Sequence, residues 1–380
     1  MARGGRLPGM PGDSGQGISA RGRYSGRLDR LRQRLPALRA DAILVSHLPN
    51  VRYLCGFSGS AGLLLVQEGS ATLFTDSRYT FQAHEEVGGA RVHISKQGLL
   101  RPAGDKLRAM RGRHRVAYAR GSMTVAQWEA IRAAAGGRVR WAGDGNAVER
   151  LRAIKDAEEL ALMREAAELI SKVYRQTVHV LRVGKTELDV AAEIEYRIKK
   201  LGGSGPSFES IVASGARSAW AHARPSAKPV GKYELVVLDL GAILRGYCSD
   251  LTRTVFTGRA PEKIRRIYAA VLEAQAAARE AIRPGRKAWE VDRAARRVLE
   301  KSGLGRYFTH STGHGLGLEV HEMPRLGKGD ETILQEGMVL TVEPGVYLEG
   351  LGGIRIEDDV VVKSQGAVNL TTAPRDQFEL

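Results

Sequence analysis

Three of the nine histidines, His310, His314 and His321, fall within the twelve residues HSTGHGLGLEVH, and a fourth, His222, lies upstream. Glycine removes side-chain bulk and lets the backbone close on a ligand, and imidazole is the side chain that both binds metals and titrates near neutrality. Such a cluster is more often a site than a set of solvated histidines. The carboxylates add to it. In ELVVLDLG, strand alternation sets Leu235, Val237 and Asp239 on one face. A bare aspartate among apolar residues is costly unless a cation or hydrogen bonds compensate it. Asp250 repeats the pattern eleven residues on, across a hairpin turn at Arg245-Gly246, and Glu343 in MVLTVEPG and Glu357 in GGIRIEDD follow the same logic. Taken singly, each is better read as a strand-end acid paired with an arginine, for which Arg253 and Arg355 are available. Taken together on one sheet face they repel, because buried like charges cannot all ionise. Two divalent cations would neutralise four such carboxylates. An oxygen-rich set with one imidazole suits Mn, Co, Fe or Zn. Two metals roughly 3.5–4 Å apart hold and acidify a water and clamp a substrate oxygen. Asp239, Asp250, His314, Glu343 and Glu357 thus read as a five-ligand dinuclear hydrolytic site.

The elements that must carry these residues follow from the apolar pattern. Apolar positions Leu162, Ala166, Leu169, Ile170 and Val173 keep a 3.6-residue period after an acidic start at Asp156, Glu158 and Glu159, which predicts a long helix. ELDVAAEIEYRIKKLG predicts a second helix, and a further pair falls at about 261–283 and 287–302. Strands are expected in ELVVLDLGA, YCSDLTRTVF, GMVLTVEPGVYL and GGIRIEDDVVV. Helices and hairpin strands segregate here, the pattern of an α+β sheet with helices on one side. Upstream, Leu28, Leu31, Leu35 and Leu38 predict a helix from Arg27, ended or kinked by Pro36. After the strand-like DAILVSHL, the segment NVRYLCGFSGSAGLLLVQEGSATLFTDSRY reads as strand, turn, strand, turn, strand, and HRVAYA as another strand. With the helical TVAQWEAIRAAAG this makes an α/β unit of ordinary domain size. It contains no GxGxxG or GxxxxGK[ST] phosphate cradle. The domain boundaries expected are a basic, Gly-rich tail over 1–26, a first domain over 27–152 and a second over 153–380.

Composition narrows the class. The 380 residues are 43% hydrophobic and 26% charged, enough to bury a large core. No apolar run approaches the ~18 residues of a spanning helix, which argues against an integral membrane protein. Cys55 and Cys248 form no CxxC or Cys/His cluster, which excludes a disulfide framework and a structural zinc finger and fits a reducing, cytoplasmic setting. Cys248 shares the Asp250 face but reads as a small buried hydrophobe. The net charge of +16 invites a nucleic-acid reading, but residues 1–39 hold nine arginines against Asp13 and Asp29, nearly half of it. The rest is a moderately basic surface without a recognition motif, so nucleic acid is not expected as a partner. Residues 1–26, with eight Gly and two Pro, cannot bury enough apolar area to order themselves and lack the apolar region of a signal peptide.

At the site residues the sequence resembles a known family. LDLGAILRGYCSDLTRT, HSTGHGLGLEVHEMPRL, LTVEPGVY and GGIRIEDDVVV look like the pita-bread metallopeptidases that cleave Xaa-Pro bonds, aminopeptidase P and prolidase. PSFESIVASGARSAWAHARP and IKDAEELALMREA extend the resemblance upstream, and PNVRYLCGFSGSAGLLLV and ATLFTDSRYTFQA resemble the creatinase-like N-terminal domain of the same family. The fold this implies is α+β, a pita-bread domain of antiparallel curved sheet with helices on one side, preceded by an α/β creatinase-type domain. The implied roles are that Asp239 chelates one metal, His314 and Glu343 bind the other, and Asp250 and Glu357 bridge both. Glu343 would also be the general base that takes the proton of the attacking water. His321 would steady the substrate carbonyl or leaving nitrogen, and His222 would close over the proline side. His310, one helical-turn spacing before His314, would hydrogen-bond near the metals, and Arg355 would orient the acids. Arg325, in HEMPRL, matches a position that meets the product-side carboxylate in prolidases. Two divalent ions, manganese first and Co, Zn or Fe next, a proline-containing dipeptide or short peptide as substrate, and a homodimer complete the implied picture.

Other classes stay open on the sequence. Methionine aminopeptidase shares the five ligands and the fold but lacks a domain like 27–152. Creatinase shares both domains but dispenses with the metals. Pita-bread modules that only bind peptides lose metal ligands, and none is missing here. Dipeptide and longer-peptide specificity are near even, with Arg325 leaning towards dipeptides.

Overall fold

The computed structural model describes residues 20–380, and the chain divides between Ala147 and Val148 into two compact units. In the first, a helix spans Ala20–Arg32 and buries Leu28 and Leu31 completely. It begins before the expected Arg27, so residues 20–26 of the expected tail are helical; the remainder of that expectation, 1–19, lies outside the described residues. Pro36 sits in the first turn of a separate short helix, Leu35–Leu38, where its missing N–H costs nothing.

The sheet of this unit has six strands in the order Arg91–Ser95, Ser70–Asp76, Leu63–Gln67, Ala42–Val45, His114–Tyr118 and Val139–Gly143. Its three consecutive antiparallel strands are flanked by parallel pairs on both sides. One expectation fails. NVRYLC is not a strand but most of a helix, Leu48–Cys55, with Pro49 in its first turn and Gly56 closing it at φ 87°. Val51, Leu54 and Cys55 all point into the core from it. The β-branched and aromatic residues suggested a strand, but proline at the start and glycine at the stop mark a helix, and packing overrode propensity. The helix Val125–Ala135 opens on a capping box between Thr124 and Gln127.

In the second unit the long helix runs Ala157–Val180, started by a capping box between Asp156 and Glu159. Glu187–Lys200, Glu262–Ala281 and Ala288–Lys301 match the other expected helices closely. Between them lie antiparallel sheets. One pairs Ile211–Ser214, Leu235–Leu240 and Leu251–Phe256; another runs Glu322–Leu326, Gly313–Gly315, Val339–Val342, Asp358–Lys363 and Gly366–Asn369. A two-stranded ribbon joins Gly345–Leu348 to Gly352–Arg355. Helices Ala157–Val180 and Glu187–Lys200 bury Ile170, Val173 and Ile194 against Val236 and Leu238. Helices Glu262–Ala281 and Ala288–Lys301 bury Val271, Val291 and Leu299 against Leu340, Ile354 and Val360. Each such aliphatic side chain contributes about 1.5–3 kcal/mol, so both sheets are held firmly from their helical side.

Candidate metal centre

The strand Leu235–Leu240 is buried along its whole length, and its register places Asp239 opposite Thr252 on one neighbour and Ile211 on the other. The expected hairpin turn is present, with Arg245 at φ 48° and Gly246 at φ 90°, a left-handed pair that glycine eases. Asp250, Glu343 and Glu357 are not inside strands as expected. Each stands one residue outside a strand end, where Leu251–Phe256 begins, Val339–Val342 stops and Asp358–Lys363 begins. At these ends the ladder releases the backbone: the Asp250 N–H donates to Asp359 Oδ2 (3.0 Å), Glu343 N–H to the Thr312 carbonyl (2.8 Å) and Glu357 N–H to the Thr252 carbonyl (3.1 Å).

A cavity of about 920 Å³ collects the result. It is lined by Asp239, Asp250, His314, Glu343 and Glu357, and also by His222, His310, His321, Arg325 and Arg355. Asp250, His314 and Glu357 each bring a ligand atom within 4.8 Å of the others. The His314 Nδ1–H donates to the Gly315 carbonyl at 3.0 Å, which leaves Nε2 as a bare acceptor. That nitrogen lies 3.4 Å from Glu343 Oε1 and 3.8 Å from Asp250 Oδ2. Among the described residues, Asp239 Oδ1, Asp250 Oδ1 and Glu357 Oε1 are buried without a hydrogen-bond partner. Acceptors facing acceptors in a buried pocket call for cations, so the donor set fits divalent metal ions.

The electrostatics agree. Without metal, burial and then the neighbouring carboxylates push Asp250 and Glu357 well above the usual carboxylate range. Burial, partly offset by Arg355, raises Glu343 to about 7. Burial lowers the imidazoles of His314 and His321 and drives His310 down to about 4, helped by Arg355. These rings are therefore neutral at pH 7 and available as ligands or single-proton donors.

Arg355 ties the surrounding groups together. It donates to Asp239 Oδ2 (2.5 Å), Thr252 Oγ1 (3.1 Å), the Tyr347 hydroxyl (2.6 Å) and the Ala221 carbonyl (3.2 Å). The Asp239–Arg355 pairing considered for a single strand-end acid is thus present alongside Asp239's unpartnered second oxygen. The Tyr347 hydroxyl donates a hydrogen bond to His310 Nε2 (2.9 Å), whose Nδ1–H donates to the Ser311 carbonyl (2.8 Å). The four-residue spacing of His310 and His314 is not helical, since the chain there is extended into the strand Gly313–Gly315. His310 joins the site through Tyr347 instead, while the His321 ring packs edge-on against His314 with centroids 4.4 Å apart. Cys248 is buried with its thiol raised to about 12, in keeping with a small apolar role.

Tyr347, Thr252 and Asp359 were not singled out from the sequence. For Thr252 a signal existed: Asp250, Thr252 and Thr254 alternate in step, and the two hydroxyls donate to Glu357 Oε2 (2.6 Å) and the Arg355 carbonyl (3.0 Å).

Residues 161–364 match the model of metallopeptidase family M24, and residues 27–154 match the creatinase/prolidase N-terminal domain. This chain belongs to metallopeptidase family M24, and membership implies divalent metal ions. It is 38% identical over 337 residues to an Xaa-Pro dipeptidase of Pyrococcus horikoshii, covering 88% of this chain and 94% of that one. Among solved structures, an Xaa-Pro dipeptidase from Bacillus anthracis superposes with a TM-score of 0.90 at 34% identity, covering 94% of this chain and all of the other. An X-Pro aminopeptidase from Thermotoga maritima gives 0.85 at 36%, covering 93% and 99%.

Proposed function

We propose that this chain hydrolyses Xaa-Pro bonds, with a preference for dipeptides, using two divalent metal ions held by Asp239, Asp250, His314, Glu343 and Glu357. The observation that carries the reading is the set of buried, unpartnered oxygens of Asp239, Asp250 and Glu357 facing the bare Nε2 of His314 in one cavity. Asp250 and Glu357, each with a buried unpartnered oxygen, would help hold the ions together with Asp239, His314 and Glu343. When bound, the ions supply an acidified water and polarise the scissile carbonyl. Manganese fits a set of four carboxylates and one imidazole.

Glu343 takes the proton of the attacking water on its carboxylate and returns it to the leaving nitrogen. The return is required for any amide, since the nitrogen leaves as an amine only once it has gained a proton; here it leaves as the secondary amine of proline. His321, neutral and facing the cavity, hydrogen-bonds the carbonyl or the leaving nitrogen, and His222 closes over the ring. Arg325 is exposed at the cavity wall, its backbone N–H held by Asp330 Oδ2 at 2.9 Å. A guanidinium there suits the free carboxylate of a dipeptide's proline. Overall similarity does not divide dipeptidases from aminopeptidases here, because relatives of both kinds are about equally close. Two buried thiols support a reducing compartment, hence the cytoplasm; no helix among the described residues is long and apolar enough to cross a membrane. The family resemblance supports a homodimer.

Product analysis of Ala-Pro and Ala-Pro-Ala with manganese-loaded and chelator-treated protein tests the reading. The dipeptide is expected to be cleaved only with metal, and Glu343→Ala is expected to be silent while folded. Cleavage of the tripeptide alone would make the chain an aminopeptidase. Silence on both with metal bound would overturn Xaa-Pro hydrolysis.

A further inference from the structure

Of the cavity's imidazoles, His222 has the least to hold it. Its side chain is exposed to the cavity, and among the described residues no hydrogen bond reaches its ring. Its position is therefore set by the backbone of segment 215–225, a 3-10 turn over Gly215–Ala219 followed by irregular chain up to Ser226. A connection with so little regular structure is normally mobile unless fastened.

Both ends of the segment are fastened to one carboxylate. Glu187, the first residue of the helix Glu187–Lys200, is completely buried. Its Oε1 accepts from the Ser214 N–H (2.8 Å) and the Ser214 hydroxyl (3.0 Å). Its Oε2 accepts from the Ser226 N–H (3.1 Å) and the Ser226 hydroxyl (2.7 Å). Arg217, inside the segment, lays its Nε–H 3.0 Å from Oε2 and uses Nη2 to hold the Arg224 carbonyl at 2.6 Å. Burial by itself would raise this carboxyl; the donors from Ser226, Ser214 and Arg217 more than offset it and leave it lowered and ionised. Within the frame so fixed, the Ala221 carbonyl accepts from Arg355 Nη1 and the Ser218 hydroxyl accepts from the Gly353 N–H (2.9 Å). A buried anion satisfied by five donors from three points of one segment is a rigid anchor, since losing any donor leaves charge exposed to a low-dielectric interior.

We propose that Glu187 is a positioning residue of the peptidase site, fixing segment 215–225 so that His222 is presented to the substrate. This rests on the Xaa-Pro hydrolysis reading. The test is Glu187→Gln, which keeps the volume but replaces one acceptor oxygen with a donor amide facing donors. The variant is expected to fold, to bind metal at the wild-type stoichiometry, and to lose roughly 10–100-fold in kcat/KM on Ala-Pro, the range typical of groups that orient site residues. Added to His222→Ala, it should cost nothing more, because both act through the same ring. Hydrogen exchange over 215–225 should accelerate while the rest of the unit is unchanged. Wild-type kcat/KM in the folded variant, losses that multiply in the double variant, or unchanged exchange over 215–225 would each overturn the proposal. If Glu187→Gln does not fold, Ser226→Ala, which removes the 2.7 Å donor to Glu187 and the acceptor of the Lys228 N–H (3.2 Å), is read by the same three measurements with a smaller expected loss. If the wild type cleaves no Xaa-Pro substrate, the peptidase reading fails, and the exchange measurement alone still decides whether Glu187 holds the segment.

Discussion

Arg355 and Asp239 lie 116 residues apart in sequence and meet at 2.5 Å in the buried floor of the cavity, with side chains 4% and 11% exposed. Burial alone would lower the proton affinity of the Arg355 guanidinium, but Tyr347 and then the carboxylates of Asp239, Glu343 and Glu357 more than offset that and hold its proton more firmly than usual. It is the one cation reaching directly into the acid cluster among the ion pairs described.

Removing it leaves that cluster uncompensated. Arg355→Met, close in length but neutral, is expected to destabilise the metal-free protein by about 3–5 kcal/mol, the usual consequence of stranding a buried partner. Saturating divalent metal should recover part of the loss. Urea unfolding of both forms with and without metal measures it; equal stabilities of variant and wild type would show that Arg355 does not hold the acids.

The metal-free protein should lose stability as pH rises from 6.5 to 8. Asp250, Glu357, Asp359 and Glu343 are all raised in the folded state, Glu343 to about 7. A raised group contributes stability that is complete below its unfolded pKa, near 4, and is lost as pH climbs through the folded value. The three buried histidines are lowered and act in the opposite sense, an effect that fades by about pH 7.5 as the unfolded imidazoles lose their protons. The four raised carboxylates outweigh it across the window, and a net loss on the order of 1 kcal/mol is expected. Thermal unfolding after chelation reads it. A metal-free midpoint that holds level or rises across this window would contradict the assignment, and added metal should flatten the trend.

Arg325→Ala separates substrate length from chemistry. If its guanidinium meets the dipeptide carboxylate, KM for Ala-Pro should rise roughly tenfold or more with kcat little changed. Any turnover of Ala-Pro-Ala, whose carboxylate lies one residue further on, should be spared. A uniform fall on both substrates would place Arg325 in general support of the cavity.

Much of this site was legible in the residues. Acids in apolar strands announce a cost that something must offset, and glycine-flanked histidines announce a ligand. Helix boundaries from Asp156 onward were readable because caps and period agreed. Leu48–Cys55 is helical despite its strand-like composition, because Pro49 opens and Gly56 closes the segment and its apolar side chains pack into the core.

The sequence by itself determined which groups are available: five candidate metal ligands, a guanidinium in GGIRIEDD, and strands and helices in the order an α+β sheet requires. These follow from local properties, namely side-chain chemistry, alternation and capping, which act over a few residues. Only the tertiary structure decided which oxygens stay unpaired, that Arg355 meets Asp239, that His310 reaches the site through Tyr347, and that Glu187 holds the segment carrying His222. Those relationships join residues tens to more than a hundred positions apart. They are set by sheet register and packing against the helices, and no local pattern encodes the distance between two such atoms.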